Sequence, residues 1–461
     1  MAVPPLSRRR ALVGAAALAG AGAALSAPVG AADTPSTPGG RTDQAGAAGP
    51  ADPAGPVATA TDGEARHKPA KAVVFRNVRP LGAGAPVDLT VVDGRFTDRP
   101  APAGAQVVDG GGRIALPGLV DAHIHPDKTT WGGDWISRRP ASGIAEYGEQ
   151  DAELFRSQPR SVGERAYGLL AHAVTRGTRA VRAHVDVAPA YGLKGLEGVA
   201  EARERLAHAL DVQIVGFPQH GVVRTPGTSK LLEDAARSGL LDQVGGIDPI
   251  SFDHALVEQL DLVFGLADRY GVGVDIHLHD RDEKGVRVLR AIIERTKALS
   301  LRGKVTVSHV FCLPFLGRGE LETIAADLAG QDIALTTVAP SAALLLPLAT
   351  LHEHGVRVGL GSDGVRDSWS PFGNADMLHR THILGWITGA RLDEELVRCH
   401  TVGTHGGADV LGLDRVEFRP GDPADFVLLR GECVPQVVVD MPQRDVVVHG
   451  GRVVARDGAL L

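Results

Sequence analysis

Short apolar runs bounded by turn residues recur along the chain from residue 114 onward, and polar residues collect at their ends. Between them lie stretches with apolar residues three to four positions apart, which is the spacing of an amphipathic helix. Alternation of this kind predicts a parallel sheet covered by crossover helices. The eight runs are 114–123, 178–187, 211–219, 245–248, 272–279, 304–310, 333–338 and 357–363, and four of the helical stretches are 161–176, 196–210, 256–270 and 284–300.

Eight such units fit an α/β fold of the (β/α)8 TIM-barrel type, which we expect over residues 114–414. The flanking segments, 72–113 and 415–461, instead alternate polar and apolar residues as strands do, with turns such as Asp93-Gly94 and Gly450-Gly451. Strands from the two ends of a chain can pair in one sheet. The sequence therefore predicts a small β-sandwich domain built from both flanking segments beside the barrel.

The N-terminal region has the pattern of an export signal followed by a linker. Ser7-Arg8-Arg9-Arg10 precedes an uncharged run rich in Ala, Gly and Leu, and small residues near its end offer a cleavage site. This predicts a Tat-type signal peptide over 1–32 and an exported, extracytoplasmic protein. Residues 33–71 are rich in Pro, Gly, Ala and Thr and poor in large apolar residues, which predicts a disordered linker.

Charge and cysteine content narrow the classes of partner and of site. The 461-residue chain has 48 Lys and Arg against 55 Asp and Glu, a formal net charge of −7. A mildly acidic chain offers no field to attract nucleic acid or an anionic membrane, so we expect neither partner, and no stable membrane span after signal removal. The three cysteines form no CxxC pair and cannot make a closed disulfide framework.

Polar residues that could carry chemistry lie at the C-terminal ends of the predicted strands. In a TIM barrel these ends and the loops after them build the active site, so distant parts of the sequence would converge there. His123 and His125 are two residues apart, and the period of two in a strand turns both imidazoles to one side, where a metal ion can bind both. The other such residues are Gln219, His277, His279, His309 and Asp363.

The whole constellation resembles the amidohydrolase superfamily and, within it, the cytosine deaminase subgroup. Four stretches are similar to its N-isopropylammelide isopropylaminohydrolase-like members: DAHIHPDK at 121–128, DIHLHD at 275–280, SHVFC at 308–312 and GSDGVRDSWSPFGNADM at 361–377. The resemblance implies a hydrolase acting on carbon–nitrogen bonds other than peptide bonds, with a small heterocyclic molecule as substrate. Barrels of this family often assemble, so the resemblance also allows a homo-oligomer.

The resemblance implies one divalent metal ion, Zn²⁺ or Fe²⁺, held by His123, His125, His277 and Asp363. Imidazoles and one carboxylate with an open position suit a borderline cation that binds a water nucleophile. Asp363 would also take the proton of that water, and His309 would orient the water and stabilise the developing oxyanion. The predicted fourth strand has no lysine to bridge a second metal ion, which favours one ion.

Two residues are candidates for protonating the leaving group. The subgroup has a glutamate three residues after the fifth-strand histidine, and here that position is Asp280, a shorter acid. His279 lies two residues from His277 and should face the same side, so either His279 or Asp280 could be the proton donor. The subgroup has a second aspartate directly after the metal-binding one, and here that position is Gly364. The change removes an acceptor that a cytosine-like amine would need.

Three further residues are candidates for substrate binding. Lys128 would lie near an anionic oxygen of the substrate; alternatively it is a solvated loop lysine. Gln219 can both donate and accept, as recognition of a lactam edge requires, or it could cap its strand. Trp369 could stack on a planar ring or anchor its loop by packing.

These observations predict a metal-dependent deaminase or aminohydrolase. The enzyme would use activated water to cleave an exocyclic C–N bond of a small pyrimidine- or triazine-like ring. An alternative keeps the metal ion but opens a cyclic amide, such as a lactam or a hydantoin-like ring. A third alternative is an exported barrel that binds a ligand without catalysis, which the complete set of metal-binding residues disfavours.

Overall fold

The computed structural model describes residues 72–461, which belong to one compact unit. The predicted signal peptide, 1–32, and the predicted linker, 33–71, lie outside the described residues. None of the helices within 72–461 is long and apolar enough to cross a membrane.

Five short strands begin the described chain and lie outside the barrel. β1 pairs antiparallel with β2 on one side, and in parallel with β4 and then β5 on the other. The strands are β1 (Ala72–Pro80), β2 (Val87–Val92), β3 (Arg95–Thr97), β4 (Gln106–Asp109) and β5 (Ile114–Pro117).

Eight strands then form a nearly closed parallel barrel in which each strand pairs with the next along the chain. The barrel closes between its first and last strands, where Asp363 N–H donates to the carbonyl of His123 at 2.8 Å. The predicted TIM-type barrel is confirmed. Its strands are β6 (Leu119–Ile124), β7 (Thr178–Asp186), β8 (Asp211–Phe217), β9 (Gln243–Ile247), β10 (Gly273–Leu278), β11 (Val305–His309), β12 (Ala334–Thr337) and β13 (Val358–Leu360).

Helices follow the barrel strands and cover the outside of the barrel with apolar side chains. The helix that begins at Val162 is preceded by a capping box, a start signal that can be read in the sequence. Ser161 Oγ accepts from Glu164 N–H at 3.2 Å, and the Glu164 carboxylate accepts from Ser161 N–H at 2.8 Å. The helices are α1 (Ile144–Ser157), α2 (Val162–Thr175), α3 (Lys194–Leu206), α4 (Thr228–Arg237), α5 (Leu256–Tyr270), α6 (Glu283–Ala298), α7 (Arg318–Gly330), α8 (Leu348–Glu353), α9 (Met377–Thr388), α10 (Asp393–Thr401), α11 (Gly407–Leu411) and α12 (Val434–Asp440).

The C-terminal strands return to the sheet that the N-terminal strands began. They are β14 (Phe426–Leu429), β15 (Arg444–His449), β16 (Arg452–Arg456) and β17 (Ala459–Leu460). β14 lies between β5 and β15 and pairs antiparallel with both. Phe75 and Phe426 meet edge to face inside this domain, with ring centroids 4.9 Å apart. A separate sheet domain made from both flanking segments is therefore confirmed, and the strands of the predicted sandwich pair in one continuous order.

The predicted first barrel strand, 114–123, is wrong as a single strand. Its first residues form β5 in the flanking sheet, and the barrel begins only at Leu119. At the junction Gly118 N–H donates to the carbonyl of Asp425 in the sheet domain, and Leu119 N–H donates to the carbonyl of Gly177 beside the barrel, both at 2.9 Å. A continuous apolar run does not reveal that its two halves pair in different sheets.

Candidate active site

A cavity of about 450 Å³ opens at the C-terminal ends of the barrel strands. Histidines and one aspartate from the predicted strand ends form its floor. Four of them, His125, His277, His309 and Asp363, line the cavity. His123 is fully buried and lies next to them. The residues predicted to share a metal ion therefore converge, although they come from three different strands or strand ends.

The nitrogen and oxygen atoms of this cluster are close enough to bind one ion. His123 Nε2 and His125 Nε2 are 3.3 Å apart. Asp363 Oδ1 lies 3.4 Å from His125 Nε2 and 3.7 Å from His123 Nε2. His123, His125 and His277 form one group whose candidate ligand atoms all lie within 4.8 Å of one another. His123, His309 and Asp363 form a second group within the same distance.

The chemistry of these donors fits a divalent cation. Both ring nitrogens of His277 and of His309, and Nδ1 of His125, are buried without a hydrogen-bond partner among the described residues. Buried polar atoms left without partners are costly, and a metal ion would supply the missing partner. Burial lowers the pKa of His277 well below its usual value and that of His309 to about 3, so both rings are neutral and can act as ligands.

Asp363 complements these neutral rings as a carboxylate. Burial would raise its pKa, but the hydrogen bond with His125 and the neighbouring imidazoles hold that pKa well below its usual value. The backbone at the site is also unusual, because Asp363 has φ of 63° and His309 has φ of 71°. Non-glycine residues in this left-handed region are uncommon and cluster at functional sites.

Of the two candidate proton donors, His279 lines the cavity and Asp280 does not. His279 Nδ1 is 2.7 Å from Asp248 Oδ2, and its backbone N–H donates to Asp248 Oδ1 at 2.6 Å. Burial would lower the pKa of His279, but the Asp248 carboxylate raises it above its usual value. Asp280 is half-buried near Ser251 and lies outside the cavity lining, so its role as proton donor stays a prediction.

The three predicted binding residues, Lys128, Gln219 and Trp369, all line the cavity. Lys128 is buried, so it is not a solvated loop lysine. Its Nζ donates to Gln219 Oε1 at 2.8 Å and lies 3.0 Å from Asp186 Oδ1. Trp369 both faces the cavity and packs, because its ring stacks on Tyr147 with centroids 4.6 Å apart.

Sequence reasoning missed the acids that surround Lys128. Asp151 Oδ2 is 3.5 Å from Lys128 Nζ and accepts from Trp369 Nε1 at 2.5 Å. Asp367 is buried and lines the cavity. Burial and the neighbouring Asp151 raise the pKa of Asp367 to about 7. Two acids near the site had a signal in the sequence, because Asp186 ends the second barrel strand and Asp248 follows the fourth, both at the C-terminal rim.

Apolar side chains also line the cavity. They are Pro340, Phe372, Ile383 and Ile387, which lie among polar residues such as His379 and Arg380, and Phe372 is 78% exposed. The cavity thus combines the polar candidate metal site with apolar side chains. A small ring with a polar edge and an apolar substituent would match both.

Comparisons with known proteins agree with this site. The family model described as "Amidohydrolase family" matches residues 152–455. N-isopropylammelide isopropyl amidohydrolase of Pseudomonas sp. (strain ADP) is 30% identical over 360 residues, which cover 77% of this chain and 89% of that protein.

Two solved structures are similar over most of their length. N-isopropylammelide isopropylaminohydrolase from Burkholderia multivorans ATCC 17616 superimposes with a TM-score of 0.80 at 38% identity, covering 85% of this chain and 100% of the other. 5-Methylcytosine deaminase from Klebsiella pneumoniae gives a TM-score of 0.71 at 25% identity, covering 84% and 98%. The chain therefore belongs to the amidohydrolase family, and it is a hydrolase that acts on carbon–nitrogen bonds.

Proposed function

We propose that this protein hydrolyses an exocyclic C–N bond of a small pyrimidine- or triazine-like ring and releases ammonia or an amine. The observation that carries the proposal is the convergence of His123, His125, His277, His309 and Asp363 at the floor of one cavity. The similarity to an aminohydrolase of a triazine-type ring and to a cytosine-type deaminase supports the same bond class.

The proposed metal ligands are His123, His125, His277 and Asp363. A divalent ion bound there, Zn²⁺ or Fe²⁺, would supply an activated water as nucleophile at neutral pH. The neutral imidazoles and the carboxylate described above are the donors that such an ion requires.

The remaining steps belong to side chains of this protein. Asp363 would take one proton from the attacking water, and His309 would orient its oxygen toward the ring carbon. A bond forms between that oxygen and the carbon, and the exocyclic C–N bond breaks. The departing nitrogen takes a proton from His279, which Asp248 orients through its 2.7 Å contact. The proton that Asp363 takes from the water replaces the one that His279 gives up, so the elements of water add across the broken bond and the enzyme is left unchanged.

Gln219 presents a hydrogen-bond donor to a ring bound in the cavity. Because Lys128 donates to Gln219 Oε1, the amide oxygen is fixed toward Lys128 and the Nε2 group is left to donate. An acceptor on the ring, either a nitrogen or a carbonyl oxygen, would meet this donor. Trp369 offers a flat surface for the ring face.

Release of amine over a panel of rings tests the proposal. Protein reconstituted separately with Zn²⁺ and Fe²⁺ would be assayed for ammonia and alkylamine release from cytosine, isocytosine, ammelide and N-alkyl ammelides. We expect release from at least one compound and none after chelation. Ring opening of a lactam or hydantoin without amine release would replace the proposal with cyclic amide hydrolysis. Absence of both reactions in metal-loaded protein would favour a binding protein.

We also propose that the protein is exported through its N-terminal segment. Support comes from the arginine-rich start and the uncharged run after it. Fractionation of the native host, with N-terminal sequencing of the mature protein, tests this. Mature protein outside the cytoplasm that begins between about residues 27 and 33 is expected, and replacing Arg8 and Arg9 with lysines should retain it inside. Full-length protein in the cytoplasm would contradict export.

A further inference from the structure

A chain of hydrogen bonds runs from His123 away from the cavity into the barrel interior. His123 Nδ1 is 3.0 Å from Ser308 Oγ, and Ser308 Oγ is 2.7 Å from Asp275 Oδ1. Arg182 Nη1 donates to Asp275 Oδ2 at 3.1 Å. All four residues are at most 1% exposed. Water therefore does not compete for these hydrogen bonds.

The protons in this chain can be assigned from its chemistry. Burial raises the pKa of Asp275, and the ion pair with Arg182, which can only donate, opposes that rise and favours the carboxylate form, which can only accept. The single hydroxyl proton of Ser308 therefore points to Asp275. The oxygen of Ser308 keeps two lone pairs, and Thr336 Oγ1 donates to one of them at 2.9 Å. The other lone pair must accept from His123 Nδ1–H.

This assignment determines the form of His123. A neutral imidazole protonated on Nδ1 has its lone pair on Nε2. His123 Nε2 is the atom that faces His125 Nε2 at 3.3 Å and Asp363 Oδ1 at 3.7 Å. The lone pair thus points at the candidate metal position. The rings of His277 and His309, by contrast, have both nitrogens buried without any hydrogen-bond partner among the described residues.

We propose that Ser308 and Asp275 are positioning residues that hold His123 in its Nδ1–H form and so prepare Nε2 to bind the metal ion. Arg182 keeps Asp275 in place. The inference rests on the metal site of the proposed function. Hydrogen-bonded partners of a metal-binding histidine typically contribute 10- to 100-fold in metal affinity, roughly the effect expected here.

Zinc affinity in three variants tests the proposal. Ser308→Ala removes the hydroxyl that links His123 to Asp275, and Asp275→Asn keeps the shape but removes the charge. Thr336→Val is the matched control, because it deletes the other hydrogen bond to Ser308 and leaves the link intact. Competition with a chromophoric chelator should show affinity about 10- to 100-fold weaker for the first two variants and within roughly threefold of wild type for the control.

A second measurement observes the proton directly in the wild-type protein. ¹⁵N-histidine NMR of the zinc-loaded wild-type protein, with the His123 signals assigned by loss in His123→Gln, reports which ring nitrogen carries a proton. A protonated Nδ1 on His123 supports the proposal. An unprotonated Nδ1, or equal zinc affinity in Ser308→Ala and wild type, overturns it. Wild-type protein that binds no zinc, iron or other divalent cation would overturn the metal site itself.

Discussion

The carboxyl group of Asp367 occupies the space that a side chain at position 364 would need, and that residue is Gly364. A Cβ built on Gly364 would lie 2.0 Å from Asp367 Oδ2, far inside contact distance. Asp367 cannot move away freely, because its Oδ1 accepts from the backbone N–H groups of Trp369 and Ser370, both at 2.9 Å. Asp367 thus places a carboxyl group beside the position where the subgroup motif has an aspartate and this chain has Gly364.

Gly364→Ala should displace Asp367 and with it the backbone of Trp369. Displacing a buried polar group from its hydrogen-bond partners costs about 1–3 kcal/mol of free energy. We therefore expect kcat/KM to fall roughly tenfold or more while the zinc content stays unchanged. Gly319→Ala is the matched control, because no atom lies within 4 Å of the Cβ it would add. Equal kinetics in both variants would show that the Gly364 and Asp367 pair has no part in substrate binding.

Asp367→Asn separates the charge of this residue from its role in the loop. Asparagine keeps an oxygen for the two backbone N–H groups but cannot ionise. If Asp367 only shapes the loop, the variant should have wild-type kcat and KM. If its second oxygen meets the substrate, we expect KM to rise with little loss of thermal stability, measured by steady-state kinetics and a melting curve on the same preparation.

His279→Ala and Asp280→Ala should behave differently although the residues are neighbours. His279 lines the cavity and contacts Asp248, whereas Asp280 lies outside the cavity lining. Loss of a general acid typically costs 10²- to 10⁴-fold in rate, roughly the drop in kcat that we expect for His279→Ala. Asp280→Ala should stay within about threefold of wild type. The reverse order would make Asp280 the proton donor.

The repeating apolar runs made most of the fold predictable, because a barrel repeats one local pattern eight times. His123, His125, His277, His309 and Asp363 were predictable as a site for the same reason, since strand ends meet at one rim. Asp151 and Asp367 were not predictable. They lie in a helix and a loop beyond the strands, and only the folded loops bring them to Lys128. The division of 114–123 between two sheets was hidden because both halves are equally apolar.

Asp363→Ala should remove both activity and tight metal binding. Asp363 is the carboxylate within 3.7 Å of His123 Nε2 and within 3.4 Å of His125 Nε2, and it joins the barrel's last strand to its first. We expect no detectable turnover, and elemental analysis should find well below one metal ion per chain. Asp363→Asn retains the shape and provides the control for folding. Turnover near the wild-type level in either variant would remove the proposed mechanism.

Phe426→Ala should destabilise the protein through the sheet domain, far from the chemistry. Phe426 is 0% exposed on β14, where its ring packs on Phe75, and β14 joins strands from both ends of the chain. Truncating a buried phenylalanine costs about 3–5 kcal/mol of unfolding free energy through lost burial and the cavity it leaves. Phe315→Ala, at a site 56% exposed, should cost less than about 0.5 kcal/mol. Urea unfolding followed by fluorescence measures both changes, and a Phe426→Ala midpoint equal to that of Phe315→Ala would mean that the paired ends do not contribute to global stability.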